Sequence, residues 1–147
     1  MPLLTFPRQM RLSRGGDFLA VRNRGVRVNT GPLLVYGLPT TLKHPRLGLG
    51  VSTRAGNAVR RNAIKRRLRE AFRLGWRAWP MASNWENAQA KPQAAEVVAY
   101  DVVVSVRAHE PLKVEAYQEL LLTAVRELDA TWRKKLQRQP KKNGEGA

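Results

Sequence analysis

A short and strongly basic segment places the tightest limit on what this chain can fold into. Six of the ten residues at 60–69 are Lys or Arg, and Ile64 and Leu68 stand among them at a helical interval. Like charges one helical turn apart repel each other by roughly 0.2–0.5 kcal/mol per pair. A helix in this segment is therefore expected to have an external polyanion that offsets the repulsion.

A helical wheel at about 100° per residue divides residues 57–76 into an apolar and a basic face. The apolar face, which predicts packing on a sheet, consists of Ile64, Leu68, Ala71, Phe72 and Gly75. The opposite face carries Asn62, Lys65, Arg66, Arg69 and Arg73. Arginine side chains bind phosphate oxygens through two parallel hydrogen bonds, so this face predicts contacts with nucleic acid. The wheel places Arg60, Arg61 and Arg67 on the apolar side, where only the first two could project past the edge of a core.

The charge of the whole chain indicates the same kind of partner. The net charge is +16, but residues 1–69 hold fifteen basic residues and a single acidic one, Asp17, whereas residues 70–147 hold twelve and ten. Such a concentration of positive charge is typical of nucleic-acid binding. A solvated charged face is the alternative for the helix, although such faces usually mix signs and Glu70 is its only carboxylate. An anionic membrane surface would require a bulky exposed apolar face as well.

The composition predicts one soluble domain in the cytoplasm. A hydrophobic content of 43% suits one modest core, and the absence of cysteine excludes disulfides and Cys-ligated zinc. No apolar run is long enough to span a bilayer, and residues 1–11 lack the apolar core of a signal peptide. We expect a tail at 1–11, a domain at 12–136 with a flexible loop or insertion at 80–96, and a disordered tail at 137–147.

The expected elements follow the order α-β-β-β-α-β-α, an α+β fold in which helices pack on a sheet of about four strands. The strands are predicted at 26–30, 33–38, 46–52 and 100–107. The helices are predicted at 13–25 with a cap at Ser13, at 57–76 with a cap at Asn57, and after Pro111. The second strand is expected to stop at Pro39, and the last is apolar enough to be buried on both faces.

Residues 56–73, GNAVRRNAIKRRLREAFR, closely resemble the arginine–asparagine–arginine signature helix of the protein subunit of bacterial ribonuclease P. Four further segments resemble that family's strand and loop before the helix, its first helix, its second strand and its last strand. They are RLGLGVSTRAGNAVRRN, DFLAVRNRG, GPLLVYGL and YDVVVSVR. The resemblance covers residues 12–128 apart from 80–96, and its signature is long and specific.

The resemblance implies an accessory subunit with a left-handed β-α-β crossover through the signature helix, against the general rule for parallel strands. A ribonuclease P RNA subunit would carry the active site, where magnesium ions held mainly by that RNA activate water to remove the 5′ leader of precursor tRNA. One protein per RNA is expected, with no catalytic residue or metal site in the protein. The residues carried over to the RNA subunit are Arg60, Arg61, Asn62, Lys65, Arg66 and Arg69, to which the wheel adds Arg73.

In the family, a cleft between the first helix and the sheet holds the single-stranded leader. The residues carried over to this cleft are Phe18, Tyr36, Ser52 and Arg54, with Arg22 where many relatives carry a second aromatic residue. Aromatic rings stack on unpaired bases with about 1–3 kcal/mol per base, so Arg22 would shift leader binding toward charge. Taken alone, Phe18 is more typical of a core residue, and Tyr36 suits either role. Gly48 and Gly50, on the Ser52 face of their strand, would let the leader lie close to the backbone.

Two other functions stay open from the residues alone. A ribosomal or general RNA-binding protein would bind unrelated structured RNAs with comparable affinity and without dependence on leader length. A self-sufficient nuclease would cleave RNA with a metal ion and no RNA partner. Against the nuclease, the basic half nearly lacks the carboxylates of a two-metal site, and His44 and His109 lie in unrelated segments.

Overall fold

The structure, a computed structural model, describes residues 7–12, 15–81 and 99–146, with side chains as far as residue 135. It contains helices α1 (Gly16–Arg24), α2 (Ala58–Gly75) and α3 (Val114–Gly146), and strands β1 (Val26–Thr30), β2 (Leu33–Thr40), β3 (Arg46–Val51) and β4 (Ala99–Val106). The predicted α+β fold and its order α-β-β-β-α-β-α are therefore confirmed. The cap predicted at Ser13 lies outside the described residues, and Gly15 precedes the first turn of α1.

The four strands form one mixed sheet in the order β1-β2-β4-β3. β1 and β2 form an antiparallel hairpin, and in its two-residue turn Gly31 has a φ of 60°, which glycine adopts without strain. β4 pairs antiparallel with β2 and parallel with β3. Because β3 and β4 are parallel neighbours, α2 crosses over between them, and the left-handed sense of that crossover stays a prediction.

The prediction that the second strand ends before Pro39 is wrong. Pro39 pairs with Tyr100, and Thr40 pairs with Ala99, so β2 continues to Thr40. The pairing with β1 reaches only to Gly37, so in the described part of the chain Pro39 has a strand on one side and none on the other. Proline lacks the backbone N–H that a second neighbour would need, and sheets accept it where a strand borders one partner.

One face of the sheet carries the main hydrophobic core, against α2 and α3. The buried residues that alternate along β2 and β4 on this face include Leu33, Val35, Val102 and Val104. The predicted stripe of α2 contributes Ile64, Leu68, Ala71 and Phe72, and α3 contributes Tyr117, Leu121, Val125 and Leu128. Each fully buried aliphatic side chain stabilises the fold by about 1.5–3 kcal/mol. This burial fixes the orientation of α2 and turns its basic side away from the core.

The opposite face of the sheet, called the open face below, is covered only in part, by α1. Leu12, Val21, Tyr36 and Val103 form a second, smaller buried cluster there, and Phe18 packs against it. Because Val103 is buried on this face while its neighbours Val102 and Val104 are buried on the other, β4 is buried on both faces as predicted. The remainder of the open face, toward β1 and toward the end of β3, is accessible.

Part of the predicted N-terminal tail is packed on the sheet. Residues Arg8–Met10 form a 3-10 turn, and Met10 is buried in the main core. Leu12 N–H then donates a hydrogen bond to Leu47 O at 2.9 Å, so this segment runs beside β3. Met10, in the predicted tail, is therefore part of the packed chain, and the domain start at residue 12 stays a prediction.

At the other end, α3 continues to Gly146 and so extends through most of the predicted tail at 137–147. The loop or insertion predicted at 80–96 lies almost entirely outside the described residues, and the domain boundary at 136 stays a prediction. None of the helices in the described ranges combines the length and the apolar character that crossing a membrane requires.

Candidate nucleic-acid interface

Side-chain oxygens fix the two turns that lead from β3 into α2. Ser52 Oγ accepts a hydrogen bond from Arg54 N–H at 3.3 Å, in a 3-10 turn that ends at Gly56. Gly56 has a φ of 133°, which favours glycine. Asn57 Oδ1 then accepts a hydrogen bond from Arg60 N–H at 2.9 Å and caps the helix, as predicted. The basic residues of the first turn of α2 are thereby held at a defined place beside the end of β3.

Four polar residues on the outer side of α2, opposite its buried stripe, form what is called the α2 row below: Asn62, Lys65, Arg66 and Arg69. Within the described part of the chain, none of its three cations forms an ion pair with a carboxylate. Arg73 is different, because its Nε donates to Glu70 Oε1 at 3.0 Å and its Nη2 pairs with Glu70 Oε2. The predicted basic face is therefore open from Asn62 to Arg69 and internally paired at Arg73.

A residue from the predicted N-terminal tail adds to this charge. Arg11 forms a parallel bridge with Leu47 of β3, and the fold brings it near Arg69. Partial burial lowers the pKa of Arg69, and the positive charge of Arg11 lowers it further. Because a guanidinium stays protonated in proteins despite such a shift, the two arginines create a positive potential that favours an anion between them.

Arg60 and Arg61, the first two arginines of the signature sequence, have side chains that turn back toward Gly56, in the turn before α2. Arg61 Nε donates to Gly56 O at 3.1 Å. Arg60 lies against Gly56, where a Cβ would come within 2.6 Å of its Cδ, and it forms an exposed ion pair with Glu110 at 3.3 Å. Both side chains thus project past the edge of the core, as the wheel suggested, and neither is buried in it.

Arg67, for which the wheel offers no position, ties α2 to the connection between β4 and α3. Its Nη1 donates to Leu112 O at 3.0 Å. In the same connection, Tyr117 OH accepts a hydrogen bond from Leu112 N–H at 3.1 Å and lies 2.7 Å from His109 Nε2. Burial raises the pKa of Tyr117. Arg67 therefore has a structural partner on the side of α2 that faces away from the α2 row.

On the open face, Phe18 fills the space that one glycine of β3 leaves. A Cβ on Gly48 would lie 3.0 Å from the Phe18 ring and 2.8 Å from Leu12 O. The close approach predicted at Gly48 is therefore made by the protein itself. At Gly50 the nearest atom to a Cβ is Val104 O at 3.9 Å, so this part of the face is open.

The residues predicted for the leader cleft fall into two groups. Phe18, Arg22 and Tyr36 lie together between α1 and the sheet, where Phe18 is half-buried and the Arg22 guanidinium lies over the Tyr36 ring at 5.4 Å from its centroid. Ser52 and Arg54 are exposed in the turn after β3, next to the start of α2. The structure therefore places aromatic side chains under α1 and exposed polar side chains in the turn after β3.

An ion pair links α1 to β3, and the same arginine joins β3 to β4. Arg46 of β3 donates from Nε to Asp101 Oδ1 at 2.9 Å and from Nη2 to Asp101 Oδ2 at 2.7 Å, and its Nη1 donates to Asp17 Oδ2 at 3.3 Å. The hydrogen bonds and the charge of Asp101 raise the pKa of Arg46. Because Asp17 directly precedes Phe18, this exposed contact links the start of α1 to β3. The one carboxylate of residues 1–69 is thus used within the protein.

Comparison with known families agrees with this geometry. The sequence model described as Ribonuclease P matches residues 6–129. The chain belongs to the Ribonuclease P family. A Ribonuclease P protein component from Desulfovibrio desulfuricans is 44% identical over 70 residues, which make up 46% of this chain and 54% of the relative. The chain therefore spans about half the length of the curated relatives it matches.

Solved structures of the Ribonuclease P family have the same fold. The RNase P protein from Thermotoga maritima is 25% identical and has a TM-score of 0.61, with 80% of this chain and 96% of that chain covered. The RNase P protein from Staphylococcus aureus is 26% identical and has a TM-score of 0.56, with 80% and 93% covered. The predicted resemblance is thereby confirmed at the level of the family and of the fold.

The site predicted from the sequence leaves out three basic residues of this Ribonuclease P family member that the structure places near site residues or on the open face. They are Arg11, Arg27 and Arg107. Arg27 is the register partner of Tyr36, and Arg107 Nη2 donates to Asn29 Oδ1 at 2.6 Å. The two-residue hairpin turn fixes the β1–β2 register, so the sequence contains enough information to place Arg27 beside Tyr36. Arg11 and Arg107 depend on pairings between distant segments, for which no local pattern exists.

Titratable side chains with metal-binding or acid–base chemistry are dispersed in this family member. In the described part of the chain, no three His, Asp or Glu side chains gather in a way that could hold a metal ion. His44 and His109 occupy separate connections, with Nδ1 of each ring 3.1 Å from Pro45 O and 2.8 Å from Arg107 O, respectively. The described surface offers a partner positive charge on α2 and, on the open face, the half-buried Phe18 ring and the exposed Arg22.

Proposed function

We propose that this chain is the protein subunit of a bacterial ribonuclease P, which binds the catalytic RNA subunit and the 5′ leader of precursor tRNA. One protein binds one RNA, and the complex acts in the cytoplasm. The RNA subunit carries the active site for endonucleolytic removal of the leader. The observation that carries the proposal is the α2 row, whose Lys65, Arg66 and Arg69 have no carboxylate partner among the described residues. Membership of the Ribonuclease P family supports it.

The α2 row binds the RNA subunit by neutralising phosphates. From Asn62 to Arg69 it extends about 10 Å along the helix, since each residue adds about 1.5 Å. Arg60 and Arg61 extend this charge toward the start of α2, and Arg11 extends it sideways at Arg69. Each phosphate contact releases condensed counterions, so RNA strands that meet near α2 need fewer free cations to approach each other.

The leader binds on the open face. Ser52 and Arg54, next to the start of α2, receive the part of the leader closest to the bound RNA subunit. Gly50 offers open backbone beside them, and the half-buried Phe18 offers an aromatic edge to an unpaired base. Unpaired nucleotides suit such a surface because their bases are free to contact it without prior melting of a duplex.

Magnesium is held mainly by the RNA subunit in this proposal, and the protein supplies no catalytic residue. Among the described residues, acidic side chains are scattered or already paired with arginines, as Asp17, Asp101 and Glu70 are. The protein acts on the metal requirement indirectly, because its arginines replace part of the counterion atmosphere around the RNA.

The test is processing of precursor tRNA by the protein alone, by its RNA subunit alone and by the reconstituted complex, across a magnesium titration. We expect the protein alone to leave the substrate intact and the complex to reach half-maximal cleavage at several-fold lower magnesium than the RNA alone. An unchanged magnesium dependence would contradict the neutralisation mechanism. Metal-dependent cleavage by RNA-free protein would instead establish a self-sufficient nuclease.

A general RNA-binding protein is the competing function, and the RNA that co-purifies with the chain distinguishes the two. The proposal expects sequencing of the bound RNA to yield one species of intermediate size. Ribosomal RNA, or a mixture of unrelated structured RNAs bound with equal affinity, would contradict it.

A further inference from the structure

The turn that follows α2 carries an arginine over a tryptophan ring. The Arg77 guanidinium carbon lies 4.7 Å from the centroid of the Trp76 ring. Trp76 is half-buried and packs against the main core, whereas Arg77 is exposed. A guanidinium over an aromatic face is attracted by the ring and keeps its outer face and its N–H groups free. The pair therefore presents a flat cation to solvent.

The backbone around this pair is held in place. Trp76 N–H donates to Phe72 O and so continues the hydrogen bonds of α2. Trp79 N–H donates to Trp76 O at 3.0 Å, across the 3-10 turn Trp76–Ala78. Trp79 itself is buried and meets the Phe72 ring edge-on, with 5.3 Å between the ring centroids. Trp79 thus anchors the turn in the core, and Trp76 lies nearer the surface under Arg77.

Arg77 continues the direction of the α2 row past Arg73. Residues eleven apart on an α-helix lie within about 20° of each other, so Arg77 follows Arg66 on the same side. The 3-10 turn begins only at Trp76, and its winding of about 120° per residue shifts this direction by at most about 40°. Unlike Arg73, Arg77 forms no ion pair with a carboxylate among the described residues. The basic side of α2 therefore has an open cation about 12 Å beyond Arg69, at about 1.5 Å per residue.

We propose that Trp76 and Arg77 form a stacking site for an unpaired nucleotide of the RNA subunit. The inference rests on the function proposed above. The base lies against the outer face of the Arg77 guanidinium, and Trp76 supports the guanidinium from below. Unpaired RNA bases stack on aromatic side chains and on guanidinium planes, and such stacking tolerates any base. The α2 row thus binds phosphates, whereas this pair binds a base.

The guanidinium, and not the indole ring, is the surface that the base meets. Trp76 packs against the main core and has Arg77 over its ring, so little of the ring is left for a base. RNA is favoured over an acidic segment of another protein because the α2 row already brings the RNA subunit to the same side of the helix. An acidic side chain would also need only the charge of Arg77 and not its planar shape.

The experiment measures binding of the purified RNA subunit to the full chain across a salt series. Arg77→Lys keeps the charge and removes the plane, whereas Arg77→Gln removes both. Arg126→Lys, at an exposed position of α3, is the matched control for the change from guanidinium to ammonium. Trp76→Leu removes the ring beneath the guanidinium. Urea unfolding checks the stability of each variant.

We expect Arg77→Lys to bind at least about fivefold more weakly at every salt concentration, with an unchanged salt slope, because stacking is lost and the charge is kept. Arg77→Gln should show this loss and also lower the salt slope by about 0.7. Trp76→Leu should lose part of the affinity without a change in slope. Arg126→Lys should match the unmodified protein.

The absence of cysteine from the chain allows the bound nucleotide to be located. A photoreactive group attached to Ala78→Cys, next to the pair, should crosslink to unpaired nucleotides of the RNA subunit, which stops of reverse transcription identify. Ala130→Cys, at an exposed position of α3, is the matched control and should not reach the same nucleotides. No crosslink from Ala78→Cys, or crosslinks to base-paired nucleotides alone, would overturn the inference.

The binding data can overturn it in two further ways. Full affinity in Arg77→Lys would show that Arg77 supplies charge alone. Full affinity and an unchanged slope in Arg77→Gln would show that Arg77 does not contact the RNA and only shields Trp76 or binds a protein segment. Because Arg77 is exposed, its variants decide the matter even if Trp76→Leu does not fold. Failure of the proposed function has a different signature, since the unmodified protein would then not change cleavage of precursor tRNA by the RNA subunit.

Discussion

The α2 row and the open face both present arginine to solvent, but the surfaces beneath these arginines differ. The α2 row stands on a helix whose one aromatic residue, Phe72, is fully buried, so the exposed side of α2 offers positive charge and no aromatic ring. On the open face, Arg22 lies over the Tyr36 ring, and Phe18 packs against the cluster that contains Tyr36. A surface of charge alone replaces loose counterions between folded RNA segments, whereas arginine supported by an aromatic ring suits a flexible single strand.

The difference follows from the two sides of the sheet. On the packed side, α2 needs its whole apolar stripe for the core and leaves nothing flat for a base. On the open side, α1 is short and covers only part of the sheet, so aromatic edges and arginines share the surface. The comparison predicts that changes on α2 act on RNA-subunit binding, and that changes on the open face act on the leader.

The largest expected effect is on the α2 row. Lowering the salt from 1 M to 0.1 M strengthens binding of the RNA subunit, and in Arg66→Ala with Arg69→Ala this gain in affinity should be about sixtyfold smaller. The reason is that each lost phosphate contact changes the salt slope by about 0.9. Neither side chain has a carboxylate partner in the described chain, so the fold should be unaffected. Filter binding across a salt series measures the slope, and urea unfolding checks stability.

Arg126→Ala with Lys134→Ala is the matched control, because it removes two exposed positive charges from α3. If this control weakens binding as much as the α2 pair does, the effect is one of net charge and the α2 row is not a site. Equal losses for the RNA subunit and for the leader in the α2 pair would also break the proposed division between the two surfaces.

A smaller effect is expected on the open face, where two glycines of β3 differ. Gly48→Ala would place a Cβ 2.8 Å from the backbone oxygen of Leu12 and 3.0 Å from the Phe18 ring, so the segment before α1 must shift. Overpacking of this kind costs about 1–3 kcal/mol of stability. Gly50→Ala has free space and should leave the free energy of unfolding unchanged, which urea unfolding measures.

The same two variants test where the leader lies on the open face. If the leader lies against the backbone at Gly50, the added methyl group should lower affinity for precursor tRNA while leaving affinity for the RNA subunit intact. A Gly50→Ala protein that binds both RNAs normally would show that the leader passes elsewhere. Gly48→Ala should affect the leader only through the displacement of α1.

The α2 row could be predicted from the sequence because a helix converts spacing directly into position. The Asn57 cap and the stripe of Ile64 and Leu68 fix where the helix begins and which side is buried. The pairing of Arg73 with Glu70 could also be predicted from the sequence, because residues three apart on a helix are neighbours. A wheel that sorts residues only by angle does not show such pairs.

The surroundings of the α2 row and of the open face could not be predicted, because they depend on contacts between segments far apart in the sequence. Arg11 lies near Arg69 only because the N-terminal segment runs beside Leu47. Pro39 remains in β2 because the pairing of β2 with β1 stops at Gly37, opposite the first residue of β1, which is a property of the neighbouring strand. The roles of the individual residues in RNA binding stay predictions for the same reason, since they depend on a partner that the sequence of this chain does not contain.

The smallest expected effect concerns the paired end of α2. Glu70→Gln should release Arg73 and add one phosphate contact. The affinity for the RNA subunit that is gained between 1 M and 0.1 M salt should then increase by at most about eightfold. Glu127→Gln on α3, which adds the same net charge at another exposed position, is the control and should have little effect. No gain in Glu70→Gln would show that the RNA subunit does not extend to Arg73.

The pH dependence of the same pair gives an independent check. The hydrogen bonds from Arg73 lower the pKa of Glu70, so the carboxylate is charged throughout the neutral range and holds the guanidinium there. A group with a lowered folded pKa stabilises the fold above its unfolded value, about 4.3 for glutamate, and loses this contribution as the pH falls through the folded pKa. The unmodified protein and Glu70→Gln should therefore differ slightly in urea unfolding at pH 7, in favour of the unmodified protein, and converge in acid. A difference in stability that persists below the folded pKa would mean that Glu70 stabilises α2 through something other than its charge. The charge of Glu70 would then not be what distinguishes the paired end of α2 from the α2 row.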